Sequence, residues 1–241
     1  MDVSLVRRLL AELAGTAMLC LFGIGAAVSV AAAGAGGQGL LIVALAHGLA
    51  LAVAIYAFGS VSGGHFNPTV TLALAARGRF AWREVPAYLV AQLAGGILGA
   101  ALVYAAYGET ATTAGLGATT FGADIGYAQA ILAEAIGAFI LVTAVFALAV
   151  APTAPKGVHG IGIGLALAAQ IMVFGPLTGA SVNLARTLGP DTVLSLAGES
   201  AAWSQLAAYL VGPLVGGLAA AFVCDYLATR RPAVDVASPR A

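Results

Sequence analysis

The chain has 241 residues, of which 61% are hydrophobic and 8% are charged, and its ten basic and ten acidic residues balance to a net charge of zero. Soluble domains carry about 25% charged residues, so this composition, with a mean hydropathy of +1.00, indicates an integral membrane protein. The zero net charge argues against nucleic acid as a partner. Since no nucleophile–base pair, metal-ligand cluster or phosphate-binding loop is recognisable, we expect neither an enzyme nor a bound cofactor or metal.

The apolar stretches are each close to the ~20 residues that a membrane-spanning helix needs. They lie at about 5–32, 40–60, 84–106, 126–150, 159–177 and 203–228. The first stretch is long, contains Glu12 and Gly15, and is not followed by a clear cleavage site. A cleaved signal peptide is therefore not expected. The sequence predicts an all-α protein with six transmembrane helices.

The basic residues predict an orientation. If six helices thread the bilayer with both ends on one side, nine of the ten basic residues fall on that side, and Arg186 is the exception. The nine are Arg7, Arg8, Arg77, Arg79, Arg83, Lys156, Arg230, Arg231 and Arg240. The positive-inside rule makes that side cytoplasmic. We expect a multi-pass protein of a cell membrane, such as a prokaryotic inner or plasma membrane, with both termini and a tail at 229–241 in the cytoplasm.

One stretch of the chain occurs twice. Residues 48–67, GLALAVAIYAFGSVSGGHFN, align without a gap with residues 164–183, GLALAAQIMVFGPLTGASVN, and ten of the twenty positions are identical. Each copy runs from an apolar helical segment into a short glycine-containing loop that ends at Asn67 or Asn183. A duplicated unit in a membrane protein indicates a channel or transporter built from two structural repeats.

The repeats are expected at about 5–106 and 126–228, within one channel domain that covers 1–241. Each repeat has three spans, and because three is an odd number the second repeat inserts upside down relative to the first. The duplicated loops therefore enter the membrane from opposite faces. The connection at 108–123, rich in Gly, Ala and Thr, is expected to be extracellular and without chemistry.

The segments that follow the two asparagines are too short to cross the bilayer. Residues 67–76, NPTVTLALAA, would form about 15 Å of helix, half of a ~30 Å hydrocarbon core. Asn is a preferred N-cap and Pro68 suits the first helical position, whereas Leu184 follows the second asparagine, Asn183. Leucine is a good helix former, so we expect this second helix to persist. The prediction is two re-entrant half-helices whose positive N-terminal ends meet at the midplane and disfavour cations and protons.

Three residues converge on one level of the membrane. Arg186 lies three residues beyond the midplane Asn183, and His47 lies about seven residues into the second span, which puts both roughly 10 Å below the outer surface. Ile171 lies about 12 Å below the same surface. An arginine within the membrane costs about 2.5–3.5 kcal/mol on insertion scales, so Arg186 is a candidate functional residue. The alternative for His47 is that it only packs against neighbouring helices and has no role in a pore.

The runs SGGHFNPTVTLAL and TGASVNLARTLGP resemble the two signature loops of the aquaporin, or major intrinsic protein, family. Further matches lie at Ala11–Thr16, Ala91–Gly96 and Gly212–Gly217, so the resemblance covers about 5–228. It implies a right-handed bundle of six transmembrane helices plus two re-entrant half-helices in an inverted repeat, assembled as a homotetramer with one pore per subunit. Close helix crossing in such a bundle fits glycines at 95, 96, 99, 216 and 217.

Both signatures depart from the usual Asn-Pro-Ala of this family. The residues of the implied central constriction read Asn67-Pro68-Thr69 in the first loop and Asn183-Leu184-Ala185 in the second. The proline of the usual motif preorganises the first helical turn. Leu184 stands in its place in the second loop, and two consequences stay open: a narrower pore or a looser loop.

The resemblance also implies a selectivity filter made of His47, Ile171, Ala180 and Arg186, in which Ala180 presents its loop carbonyl. Orthodox water channels pair an aromatic residue on the second span with a histidine on the fifth, whereas this chain has the histidine and an isoleucine there. A wider and more apolar aperture is implied. Thr187 stands where glycerol channels carry an aspartate. The set resembles plant tonoplast aquaporins and ammonia-permeable animal ones, so we expect a channel for water, and for ammonia or hydrogen peroxide, that excludes ions and protons.

Several alternatives stay open from the sequence. His65 either lines the pore or braces its loop, and Glu12 and Glu134 either couple protons or, as the family implies, accept hydrogen bonds from the backbone of the re-entrant loops. The chain as a whole has three rival interpretations. They are a glycerol or small-polyol facilitator, a secondary transporter with inverted repeats, and a non-conducting structural protein.

Overall fold

The computed structural model describes residues 3–228, and the predicted tail at 229–241 lies outside the described residues. Within 3–228 the regular structure is helical throughout. The α-helices of this part are α1 (Leu5–Ala32), α2 (Gly39–Ser62), α3 (Pro68–Ala76), α4 (Val85–Tyr107), α5 (Glu109–Thr113), α6 (Tyr127–Val145), α7 (His159–Thr178), α8 (Leu184–Leu196) and α9 (Leu206–Ala228). A π-helical turn at Phe146–Val150 extends α6.

Six helical segments of the described residues are long and apolar enough to cross a membrane. They contain α1, α2, α4, α6, α7 and α9, and they coincide with the six predicted spans. The two half-helices are also present: α3 has nine residues and α8 has thirteen. The predicted all-α fold with six spans and two half-helices is therefore confirmed.

The two repeats meet at the glycines with which the duplicated stretch begins. A Cβ atom on Gly48 would lie 2.5 Å from the carbonyl oxygen of Gly164, and a Cβ atom on Gly164 would lie 2.2 Å from the carbonyl oxygen of Gly48. Helices α2 and α7 therefore touch backbone to backbone at equivalent positions. This reciprocal contact marks the pseudo-two-fold axis of an inverted repeat.

Each repeat is closed by a second close helix pair. On α4, a Cβ atom at Gly95 would lie 2.5 Å from the Leu13 carbonyl oxygen of α1. On α9, a Cβ atom at Gly216 would lie 1.8 Å from the Ala135 carbonyl oxygen of α6. Since no side chain larger than hydrogen fits at these crossings, the glycines on α4 and α9, the third and last of the long helices, determine the helix spacing, as the sequence predicts.

The connection at 108–123 contains regular structure. It forms α5 and then a 3-10 turn in which Leu116 is fully buried with a left-handed φ of 46°. Further along, the Gly122 amide donates to the Leu177 carbonyl oxygen at 2.8 Å, and the Phe121 amide donates to Gln205 Oε1 at 2.8 Å. The segment is thus fastened to the end of α7 and to the start of the last helix.

Candidate functional site

The two re-entrant loops have the same backbone conformation. Three of the four residues between α2 and Asn67 have left-handed φ angles, and so do the three equivalent residues before Asn183. These are Gly63 (96°), Gly64 (67°) and Phe66 (49°) in the first loop, and Gly179 (73°), Ala180 (48°) and Val182 (48°) in the second. The left-handed conformation costs an L-residue about 1–2 kcal/mol. The loops must therefore be held in place by contacts outside themselves.

Two buried glutamates supply those contacts in equivalent ways. Glu12 Oε1 accepts from Ser62 Oγ at 2.7 Å and from the His65 amide at 3.0 Å, and its Oε2 accepts from the Phe66 amide at 2.7 Å. The Gln92 side chain donates a fourth bond to Glu12 Oε2 at 2.7 Å. Each oxygen of this carboxylate thus accepts two hydrogen bonds, and the donors come from the end of α2, the first loop and α4.

Glu134 holds the second loop with the corresponding three bonds. Its Oε1 accepts from Thr178 Oγ1 at 2.7 Å and from the Ser181 amide at 2.9 Å, and its Oε2 accepts from the Val182 amide at 2.6 Å. Neither Glu12 nor Glu134 lines either of the two cavities described below. This arrangement favours loop support over proton coupling for both glutamates.

Further side chains that support the loops around these glutamates were not predicted from the sequence. Tyr88 donates to the carbonyl oxygen of Ser62 at 2.7 Å, and Tyr209 donates to the carbonyl oxygen of Thr178 at 2.7 Å. Both tyrosines are buried. A signal was available, because Ser62 and Thr178 are hydroxyl residues at the same position of the two copies. The two tyrosines carried a signal of the same kind, because both lie in the run AYLV, which occurs at 87–90 and again at 208–211. Gln92 carried none.

The asparagines join the two loops to each other. Asn67 Nδ2 donates to the carbonyl oxygen of Val182 at 2.9 Å, and Asn183 Nδ2 donates to the carbonyl oxygen of Phe66 at 2.9 Å. Each Oδ1 atom caps its own half-helix by accepting the Thr69 amide at 2.8 Å or the Ala185 amide at 3.0 Å. An amide NH₂ group has two hydrogens, so each asparagine keeps one N–H for a further acceptor.

A cavity of about 540 Å³ runs along these asparagines. Polar side chains on its wall come mainly from α2, the two loops and α8, and much of the rest of the wall is apolar. The polar lining includes His47, His65, Asn67, Ser181, Asn183 and Arg186, and the apolar lining includes Leu51, Ile55, Val70, Leu141, Leu167 and Ile171. A solute in this cavity therefore meets both hydrogen-bonding groups and apolar surface.

A second cavity of about 580 Å³ opens where α1 ends and α2 begins. Ile171 and Arg186 line both cavities, so the partition between the cavities lies at these two residues. His47 lines the first cavity. Ala180 lines neither, and its carbonyl oxygen accepts from Gln170 Nε2 at 3.1 Å. The structure therefore brings three of the four predicted filter residues to cavity walls and leaves Ala180 behind them.

The residues that follow the asparagines in both signatures do not form part of the cavity walls. Pro68, Thr69, Leu184 and Ala185 do not line either cavity. A Cβ atom on Gly217 would lie 2.4 Å from Thr69 Cγ2, which shows that the threonine methyl fills space against α9. Leu184 is the first residue of α8, whose amides Asn183 still caps. The half-helix thus persists without proline.

Arg186 places a buried positive charge at the partition between the two cavities. It is only 5% exposed, and its Nη1 atom has no hydrogen-bond partner. The salt bridges formed within residues 3–228 do not include it. A buried guanidinium without an anionic partner repels cations strongly. Its free N–H groups are available to a solute with an acceptor atom.

Two of the three histidines that line the first cavity, His47 and His65, are held by defined hydrogen bonds. His47 Nδ1 lies 2.9 Å from the Val43 carbonyl oxygen, which can only accept, so Nδ1 carries the proton. His65 Nδ1 lies 3.1 Å from Thr71 Oγ1 and its ring contacts Phe80 at 4.8 Å between centroids. His65 therefore both lines the cavity and braces its loop. Among the described residues, no group of three or more His, Cys, Asp or Glu side chains is placed to hold a metal ion.

Comparisons with known proteins agree with this geometry. The sequence model of the family described as "Major intrinsic protein" matches residues 1–224. A probable aquaporin AqpM of Archaeoglobus fulgidus is 42% identical over 95% of this chain and 99% of its own length. The aquaporin AqpM of Methanothermobacter thermautotrophicus is 40% identical over 93% and 98%, and an aquaporin Z of Photorhabdus laumondii is 39% identical over 89% and 94%.

The fold is also similar to that of a solved structure. The X-ray structure of the aquaglyceroporin from Plasmodium falciparum superimposes with a TM-score of 0.83 at 25% sequence identity. The match covers 94% of this chain and 96% of the other. Both the inverted repeat and the half-helices thus belong to a known architecture.

Proposed function

This chain belongs to the major intrinsic protein family, whose aquaporins are membrane channels rather than enzymes, and we propose that its pore conducts water together with small neutral solutes such as ammonia or hydrogen peroxide. The proposal includes the exclusion of ions and protons. It rests on one observation above all, the reciprocal hydrogen bonds that place one free N–H of Asn67 and one of Asn183 beside the same cavity.

These two donors give a mechanism for excluding protons. A water molecule between Asn67 and Asn183 accepts from both side chains, so both lone pairs of its oxygen are engaged. It can then only donate to the water on either side, and a proton relay through it has no acceptor. The N-terminal ends of α3 and α8 add roughly half a positive charge each. Neutral water passes, whereas hydronium and metal cations meet a positive centre.

The partition at Ile171 and Arg186 supports the selection of small solutes. Arg186 donates to a passing oxygen or nitrogen atom, and Ile171 offers no competing polar group on the facing wall. Thr187, at the position of the aspartate of glycerol channels, is tied to Ser181 Oγ at 2.6 Å and to Thr119 Oγ1 at 3.1 Å. These bonds keep its hydroxyl within the protein, which supports water and ammonia over glycerol.

A glycerol or small-polyol facilitator is the second candidate. The apolar side chain of Ile171 at the partition favours it, because a polyol has a carbon backbone that needs an apolar wall. The similarity of fold to an aquaglyceroporin points the same way. Water and glycerol fluxes must therefore be measured on the same preparation.

Stopped-flow light scattering on proteoliposomes tests the function. We expect osmotic water permeability well above that of protein-free liposomes, with a low activation energy and a flux linear in the gradient. Ammonia flux should also rise, and glycerol flux should rise less. His47→Phe and Ile171→His should both narrow the filter and lower ammonia relative to water. Saturable, gradient-coupled uptake would indicate a transporter, and absence of any flux would indicate a structural protein.

The assembly and orientation form part of the proposal. Family membership supports a homotetramer with one pore per subunit, and the basic residues on one side support cytoplasmic termini. Large apolar side chains such as Leu49, Val90 and Val173 are exposed on the long helices, as contacts with lipid or a neighbouring subunit require. Native mass spectrometry tests the tetramer, and labelling of single cysteines introduced at Arg83 and Gly115 in intact cells tests the orientation.

A further inference from the structure

Gly23 of α1 forms a recess for the ring of His47 on α2. A Cβ atom on Gly23 would lie 2.3 Å from both Cδ2 and Nε2 of His47 and 2.6 Å from its Cε1. The ordinary van der Waals contact distance of a Cβ atom is 3.4–4 Å. The outer edge of the imidazole therefore occupies the volume that any side chain at position 23 would need.

The ring is fixed at its other edge by its own helix. Nδ1 donates to the carbonyl oxygen of Val43 at 2.9 Å, whereas Nε2 has no hydrogen-bond partner and is enclosed against Gly23. The side chain is 4% exposed, and it lines the cavity that Ile171 and Arg186 also line. The ring is thus held between its hydrogen bond to Val43 and the recess at Gly23, and it also borders the cavity.

We propose that Gly23 is a specificity-determining position of the channel, because its missing side chain sets how far the His47 ring extends into the aperture. The inference deepens the proposed function and rests on it. A methyl group at position 23 requires the ring to move about 1.1 Å to reach an ordinary contact distance of 3.4 Å. The ring leaves the recess toward the cavity, which is the open space beside it. A water molecule has a radius of about 1.4 Å, so this displacement removes much of a single-file aperture.

Gly23 itself does not line either cavity, so it acts only through His47. This separates the proposal from a simple packing effect. If a methyl group at position 23 merely pushed α1 away from α2, its effect would not depend on the imidazole. Removing the imidazole therefore decides between the two.

The experiment compares the wild type with Gly23→Ala, His47→Ala and the double variant in proteoliposomes, normalised to reconstituted monodisperse protein. We expect Gly23→Ala to lower water permeability by a factor on the order of three or more and to lower the glycerol-to-water and ammonia-to-water ratios, since pore diameter sets selectivity. The double variant should match His47→Ala. Gly25→Ala is the matched control on the same helix, because its Cβ atom would meet only Val103 Cγ2 at 3.7 Å, and it should match the wild type.

Unchanged permeability and ratios in Gly23→Ala would overturn the inference, as would a loss that persists in the double variant. If Gly23→Ala alone is not recovered as monodisperse protein, its recovery when combined with His47→Ala supports the inference and its failure there overturns it. Wild-type vesicles that conduct water no faster than protein-free vesicles would overturn the proposed function together with this inference. A conducting wild type with an unaffected Gly23→Ala variant overturns this inference alone.

Discussion

Replacing Glu12 by glutamine tests whether the buried glutamates hold the re-entrant loops. The carboxylate accepts two bonds at each oxygen, and each oxygen serves one backbone N–H, that of His65 or that of Phe66. A glutamine keeps one acceptor oxygen and replaces the other with an NH₂ donor. Ser62 can rotate its hydroxyl to become an acceptor, but a backbone N–H cannot.

The structure therefore predicts one orphaned backbone donor in Glu12→Gln. A buried donor left without a partner costs about 1–3 kcal/mol. Glu12→Ala leaves both the His65 and the Phe66 amides without an acceptor, which raises the cost to roughly 2–6 kcal/mol on the same basis. For a chain of this size 1 kcal/mol corresponds to about 2–4 °C in Tm, so the glutamine variant should unfold about 2–12 °C below the wild type.

Thermal unfolding in detergent measures the loss of stability, and osmotic water flux in proteoliposomes measures the effect on the pore. Glu199→Gln is the control, because Glu199 is exposed and only its backbone amide forms a bond, to Leu194. The control should leave Tm unchanged. If Glu12→Gln unfolds at the temperature of the control, the loop-support argument fails. If it keeps its stability and loses a pH-driven component of transport, Glu12 is a proton-coupling group instead.

Three further predictions concern the helix contacts and the pore. Gly48→Ala should lower Tm and the yield of folded protein, because its Cβ atom would lie 2.5 Å from the rigid Gly164 carbonyl oxygen, whereas Gly59→Ala, whose Cβ atom meets only Ile55 at 3.7 Å, should do neither. Leu184→Pro should leave water permeability within a factor of about two, since the α8 amides that Asn183 caps come after this position; a large rise in stopped-flow flux would show that the natural loop is impaired. Arg186→Ala should raise glycerol flux and admit cations, measured with an entrapped ion-sensitive dye. If the variant still excludes cations, the half-helices alone account for cation exclusion.

The sequence predicted the spans and half-helices because both follow from local properties. Length and hydropathy define the six long helices, and Asn67 with Pro68 defines the start of a short one. The side of each helix that faces the pore was harder to predict. Helices such as α2 and α7 are apolar all round, so no periodicity distinguishes the lumen from lipid. Ala180 is a separate case, because it lies in a re-entrant loop, where its position depends on the loop fold and on its bond to Gln170.

Tertiary hydrogen bonds were the other part that the sequence left open. Gln92 is 80 residues from Glu12, and the Tyr88 hydroxyl reaches the Ser62 carbonyl oxygen across 26 residues. No local pattern predicts such pairs. The internal repeat is the exception, since it relates each contact of one loop to a contact of the other. Once Ser62 was known to bind Glu12, the equivalent bond between Thr178 and Glu134 followed, because Thr178 matches Ser62 in the duplicated stretch and Glu134 matches Glu12 in the first span of the second repeat.

The positions of the departures from the family motif bear on what sets this channel apart. Thr69 fills space against Gly217, and Leu184 begins α8 without lining a cavity, so neither changes the amide groups that Asn67 and Asn183 present at the centre. His47 and Ile171, by contrast, are on the cavity wall. We therefore expect substitutions at Thr69 or Leu184 to alter stability and substitutions at His47 or Ile171 to alter the ratio of solutes. A Thr69→Ala variant with a changed ammonia-to-water ratio would contradict this division.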